Sequence, residues 1–267
     1  MQEFKQDRYM ILNGEQCLWQ PAEEPYVYQN IHSLGYNCRY VAQHLEQLNN
    51  AAEALFGFGL EIDAATIERQ ARQLLTANHA TRHSTLCVRL MLDSEGDYRL
   101  ECDEATIYAG YTLRSLHPDV MCVAIIPPAP SFLSSALLSS RRLADAAARQ
   151  RDAHEALITS ADGTVVSDAT RPMIMIDGYT ATLSPTTQHC VESQLAAEAC
   201  RKLGLKVRYA ELTISELERA DELMYVTFQG ITSISGLGRH TYMHILSERI
   251  AEAMEEIFQT KNNTTKR

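Results

Sequence analysis

The stretch His154-Glu155-Ala156-Leu157-Ile158-Thr159-Ser160-Ala161-Asp162-Gly163-Thr164-Val165-Val166-Ser167-Asp168 decides the fold. Its two β-prone runs, Ala156 to Ser160 and Thr164 to Asp168, flank Asp162-Gly163. Asp-Gly accepts the positive φ that a tight turn between antiparallel strands needs, so the segment reads as a hairpin. An Ala-rich helix from about Ser134 to His154 precedes it, and Pro127-Pro128-Ala129-Pro130 is the strongest break in the chain. That break predicts a smaller N-terminal α/β domain over 1–126, a linker over 127–133 and a C-terminal α/β domain over 134–267.

Downstream, Val191, Leu195, Ala199 and Leu203 mark a helix closed by Gly204. A strand at Lys206 to Leu212, a short helix from Ser215 with Glu218 in capping-box spacing, and a strand at Met224 to Phe228 follow. Leu246, Ile250, Met254 and Ile257 form one stripe of a last helix, and the polar tail from Thr260 to Arg267 is expected to fray. Upstream, Met10 to Glu15 reads as a short strand entering a turn. Val41 to Leu55 reads as a helix closed by Gly57 and Gly59, and Asp63 as the N-cap of a second helix. Ser84 to Leu92, Tyr98 to Tyr111 and Cys122 to Ile126 read as strands. The fold class is α/β.

Composition narrows the function classes. The 267 residues carry 24 Lys+Arg against 34 Asp+Glu, a formal charge of −10, with no basic run beyond Arg141-Arg142. Such a chain lacks the electrostatic footprint of a nucleic-acid binder. The longest apolar run, Val120 to Ile126, is far short of the ~20 residues that span a bilayer. With no apolar signal core at the N-terminus and seven scattered Cys without a C-x-x-C, a cytoplasmic chain with reduced thiols is expected. The basic residues are 19 Arg and only five Lys, and residues 6 to 201 contain no lysine.

Four stretches give the chain a family resemblance. His44-Leu45-Glu46-Gln47-Leu48 is similar to an H-L-x-R-L helix, and His154 to Leu157 with Asp162 to Val165 to a D-E-A-L and D-G-x-V hairpin. Ser184-Pro185 and the helix to Gly204 resemble a T-P segment, and Gln229-Gly230-Ile231-Thr232-Ser233-Ile234 resembles a G-I-T-P-V loop. Together they resemble the class IV aminotransferases, which include branched-chain and D-amino acid aminotransferases and aminodeoxychorismate lyases. The resemblance implies the two-domain D-amino acid aminotransferase-like fold of enzymes that use pyridoxal phosphate (PLP), and a homodimer.

The resemblance also implies particular residues, and this sequence departs from them. The family's Schiff-base lysine falls on Ser134, its glutamate opposite the pyridine nitrogen on Ser167, and an arginine for the cofactor phosphate on Gln47. Its phosphate-cradling G-I-T falls on Cys190-Val191-Glu192, while Gly230 and Ile231 keep the second G-I-T-like loop. Only a primary amine makes the Schiff base, and a carboxylate opposes a dianion. No cofactor is therefore expected. The reading is a family member that has lost PLP-dependent transaminase or lyase chemistry and binds a small ligand or partner in the cleft between domains. The alternative is an active enzyme with an atypical PLP site, or a cofactor-free catalyst.

Other constellations read as structural. His240-x-x-x-His244 has a metal-ligand spacing, with Glu248 four residues on, but a solvated helix face is the simpler reading and no metal is expected. His79 and His83 share that spacing in a loop-like segment. Cys190, at a helix start beside His189, is a conceivable nucleophile opposed by Glu192. Arg141-Arg142 and Arg149-Gln150-Arg151 read as a solvated helix face, and Gly236-Leu237-Gly238 as a turn into the last helix. Ser134-Ser135 and Ser139-Ser140 lack a Gly-x-Ser-x-Gly surround, which gives no support to a serine hydrolase.

Overall fold

The chain forms two units, Met1–Ala109 and Gly110–Arg267, in a computed structural model that describes residues 8–105, 110–114 and 118–265. The first unit runs β1 (Tyr9–Leu12), β2 (Glu15–Leu18), β3 (Tyr26–Leu34), β4 (Asn37–Cys38), α1 (Val41–Phe56), α2 (Ala64–Ala77), β5 (Thr85–Asp93) and β6 (Tyr98–Ala105). Its strands form one antiparallel sheet in the order β2-β1-β6-β5-β3-β4. Val41, Leu45, Leu48 and Ala52 give α1 a buried stripe, and Gly57 closes it at φ 83, a left-handed conformation that costs glycine little. Asp63 caps α2 by accepting the Thr66 N–H at 2.7 Å, as expected.

The second unit runs β7 (Thr112–Arg114), β8 (Asp119–Ala124), α3 (Ser135–Arg149), β9 (Glu155–Thr159), β10 (Thr164–Val165), β11 (Met173–Asp177), β12 (Thr180–Leu183), α4 (Val191–Lys202), β13 (Lys206–Tyr209), β14 (Leu212–Thr213), α5 (Ile214–Leu217), β15 (Glu222–Thr227), β16 (Gly230–Ile234), β17 (Gly236–Leu237), β18 (His240–Thr241) and α6 (Ile245–Thr265). Two sheets, β14-β10-β9-β8-β17-β18 and β13-β12-β11-β15-β16-β7, pack through Val120, Leu157, Met173, Leu223, Ile234 and Leu237. Ala144 and Ala148 of α3 lie on Ala156 and Ile158 of β9, while α4 and α6 pack together against the second sheet. β15 is buried along nearly its whole length because both of its faces are covered. The hairpin β9–β10 is antiparallel about Asp162-Gly163, with Gly163 at φ 84.

Several expectations change. The first unit ends at residue 109, so the 1–126 and 134–267 domains and the 127–133 linker do not match the division. β8 pairs with β9, which places the Pro127–Pro130 break inside the second unit. Helix α3 stops at Arg149, and Asp152 turns the chain at φ 62. The capping box is Thr213 with Glu216, two residues before the expected pair, and Leu203 rather than Gly204 is the C-cap of α4. Helix α6 continues to Thr265 through residues expected to fray. Strands β3, β11 and β12 have no counterpart among the expected elements. Residues 106–109 of the expected Tyr98 to Tyr111 strand, Lys5 and Lys266 lie outside the described residues.

Candidate functional site

Ser134 stands just before α3 in extended backbone, φ −139 and ψ 160, and is 6% exposed. Its Oγ accepts the backbone N–H of Leu137 at 3.2 Å, the N-cap bond that satisfies one of the open donors of a helix start. Ser167 is also buried. Its Oγ accepts the Met173 N–H at 2.8 Å and lies 3.4 Å from the Thr187 hydroxyl. Both hydroxyls therefore hold backbone or a neighbouring side chain.

Three sequence-distant segments meet here. The His189 ring Nε2 lies 2.7 Å from the Ser131 carbonyl, and its ring stacks at a tilt 6.0 Å from Phe132. The Ala169 N–H donates to the Pro130 carbonyl at 2.8 Å. The segments before Ser134, after Ser167 and before Cys190 are thus one neighbourhood of the second unit. Gln47 lies on α1 of the first unit. Gly230 and Ile231 lie in β16, paired with Thr227 and Val226 of β15 and with Thr112 and Leu113 of β7. Gly230, at φ 117, faces the Thr112 backbone so closely that a Cβ would collide with it, which explains the glycine as sheet packing.

Cys190 is the N-cap of α4, yet its side chain makes no cap bond, and its N–H already donates to the Thr187 carbonyl at 3.1 Å. Burial, then the charges of Glu192 and Asp168, push its thiol far above the ordinary range, which removes the thiolate that a cysteine nucleophile requires. Burial likewise raises the Glu192 carboxyl to about 7, with its own backbone N–H opposing the shift. The first turn of α4 therefore presents an acid and a neutral thiol.

Arg141 is not solvated as expected. It lies on the Leu137, Ala144, Ala148 stripe of α3, is 6% exposed, and pairs with the fully buried Asp168. Its Nη1 donates to the Ala156 carbonyl at 2.9 Å. Asp168 also accepts the Thr170 N–H at 2.9 Å, which leaves it serving the loop rather than a ligand. Beside this pair, Arg171 grips Asp145 through two bonds of 2.9 Å, lies 3.5 Å from Glu155 and covers the Tyr225 ring at 5.3 Å. Sequence reasoning missed this buried charge network, although the position of Arg141 on an apolar stripe was a readable signal. Arg142, Arg149 and Arg151 are exposed as expected.

His240 lies in β18 and its Nε2 is 3.0 Å from the Ala220 carbonyl, while His244 precedes α6, so the expected helical pair does not form. Gly236 and Leu237 form β17 rather than a simple turn. His79 and His83 lie in the segment between α2 and β5. Among the described residues, no three His, Cys, Asp or Glu side chains are placed to hold a metal ion. No described helix is long and apolar enough to cross a membrane.

Two units, the second a pair of packed sheets flanked by helices, are the architecture of fold-type IV aminotransferases. The chain belongs to the amino-transferase class IV family, whose model matches residues 27–236. It is similar in structure to a branched-chain aminotransferase from the archaeon Thermoproteus uzoniensis with norvaline, at a TM-score of 0.78, 16% identity and 96% coverage of each chain. An aminotransferase from Brucella abortus, bound to the co-factor PLP, gives a TM-score of 0.75 at 18% identity, covering 94% of this chain and 100% of that one. A putative 4-amino-4-deoxychorismate lyase from Legionella pneumophila gives 0.72 at 14% identity, with 86% and 90% covered. No curated protein matches the chain by sequence.

These relatives overturn the expectation of no cofactor, since PLP is the group found in a protein of this fold and family. The residues at the positions that the resemblance assigns to that group do not offer it a covalent attachment. Ser134 offers a capped hydroxyl instead of an amine. Of the described lysines, Lys202 pairs with Glu256 and Lys261 with Glu198, both at 2.6 Å, while Lys206 begins β13. The Ser167 hydroxyl supplies no counter-charge, and Glu192 occupies the first turn of α4, where a phosphate would need donors.

Proposed function

We propose that this chain is a class IV aminotransferase-fold protein that has lost the lysine-dependent transaminase or lyase chemistry, and that it binds a small ligand or a partner. The observation that carries this reading is Ser134. At the position that the resemblance gives to the lysine, a buried hydroxyl caps α3. The buried Ser167 hydroxyl, the acid of Glu192 and the raised Cys190 thiol support it from three further positions. The chain is further read as a homodimer, as the family resemblance implies, and light scattering of the purified protein tests that.

The test is turnover of L-leucine, L-valine, D-alanine and aminodeoxychorismate with added PLP and an oxo-acid acceptor. The expected result is no product above a protein-free control. The competing reading, an enzyme that uses PLP through another attachment, is favoured by the PLP-bound relative, and turnover of any of these substrates would establish it.

A further inference from the structure

A cavity of about 590 Å³ lies wholly within the second unit, bounded by the start of β8, the Asp152-Ala153 turn, α5 and the β17–β18 ribbon. Its volume is within the range typical of small-molecule sites, roughly 300–1,000 Å³. Its lining shares no residue with the Ser134 neighbourhood, so a ligand held there is independent of the fate of the transaminase chemistry.

The lining has two chemistries. Val120, Cys122, Ile214 and Leu237 supply an apolar floor that continues into the core between the two sheets. Asp119, Asp152 and Glu218 supply three carboxylates, and the described lining residues include no Lys or Arg. Asp119 is oriented by the Ser235 hydroxyl, which donates to its Oδ1 at 2.6 Å. His240 also lines the cavity, and the Ala220 carbonyl 3.0 Å from its Nε2 requires a proton on that nitrogen. The Tyr242 ring packs edge-on against it at 4.7 Å. In the neutral ring Nδ1 is then an acceptor. The field of Glu218 is felt inside: after burial, it is a cause that raises the Cys122 thiol and, with Cys122, the Tyr242 phenol. A bare metal ion is poorly matched, because no three of these groups converge on a point.

We propose that this cavity binds a small organic cation, an alkyl- or arylammonium whose hydrocarbon body lies on Val120, Ile214 and Leu237 while its ammonium group sits in the combined field of the Asp119, Asp152 and Glu218 carboxylates. The floor removes apolar surface from water, and the carboxylates select the sign of the charge. Organic anions are rejected by the same three groups.

The test uses the full chain and three probes of nearly equal shape: benzylamine, benzyl alcohol and benzoate, titrated by calorimetry at low salt. Only benzylamine is expected to bind saturably, and it is expected to slow alkylation of Cys122 measured by peptide mass spectrometry. Glu218→Gln and Asp152→Asn are each expected to weaken it about fivefold, the scale of one partly exposed ion pair. Asp152→Asn keeps a residue that tolerates φ 62, so that variant is expected to fold. The proposal is overturned if no probe binds saturably, if benzyl alcohol or benzoate binds as tightly as benzylamine, or if neither variant weakens binding while both remain folded by circular dichroism.

Discussion

The hydroxyl of Ser134 accepts the backbone N–H of Leu137 at 3.2 Å, and so the residue onto which the resemblance places the family's lysine closes the first turn of α3. A Ser N-cap contributes about 1 kcal/mol relative to Ala. Ser134→Ala is therefore expected to lower the urea unfolding free energy by about 1 kcal/mol, whereas Ser134→Thr retains most of the cap. Ser134→Lys loses the cap as well, and it is not expected to restore turnover, because Ser167 and Glu192 are unchanged.

The buried pair of Arg141 and Asp168 predicts a larger effect. Asp168 is fully buried, so removing its partner leaves a charge with no solvent to screen it. Arg141→Ala is expected to destabilise the second unit by about 3–5 kcal/mol. Arg141→Ala combined with Asp168→Ala is expected to cost less than the sum of the two single changes in a double-mutant cycle.

His44 predicts acid sensitivity. Burial on α1 lowers its pKa from 6.5 to about 3, and Gln29 Oε1 lies 3.1 Å from its Nδ1. Above pH 6.5 neither state is charged. Between 6.5 and about 3 the unfolded chain takes a proton that the folded chain refuses, so stability falls by up to about 1.4 kcal/mol per pH unit as pH drops. His44→Asn is expected to flatten that part of the profile in unfolding measurements from pH 7 to 4.

Glu192 predicts the opposite slope. Its folded pKa, about 7, lies above its ordinary value of 4.5. The folded chain then holds a proton that the unfolded chain releases, so this contribution is full below pH 4.5 and is lost as pH rises through 7. Glu192→Gln is expected to raise the unfolding temperature at pH 8 more than at pH 5, as read by calorimetry.

Local chemistry makes much of this molecule legible in its sequence. Asp162-Gly163, Gly57 and the Asp63 cap each dictate backbone within a few residues, and the structure has all three as expected. β11, Met173–Asp177, escapes sequence reading because four of its five residues are buried with no alternation to mark a strand. The unit boundary is misplaced by the prolines because they mark breaks in backbone pairing, whereas the pairing of β8 with β9 is a long-range choice of sheet partner. At the site, the absence of lysine from residues 6 to 201 is read directly from the sequence. The burial of Arg141 is signalled by its place on the apolar stripe of α3, whereas its pairing is not, because Asp168 is 27 residues away in sequence.

The most direct measurement is reduction of the PLP-treated protein with borohydride, followed by peptide mass spectrometry and, in parallel, the four-substrate turnover assay. Loss of the lysine-dependent chemistry predicts no stoichiometric pyridoxyl adduct on any lysine and no product above the protein-free control. A stoichiometric adduct on one lysine, together with turnover abolished by replacing that lysine with Ala, would contradict it.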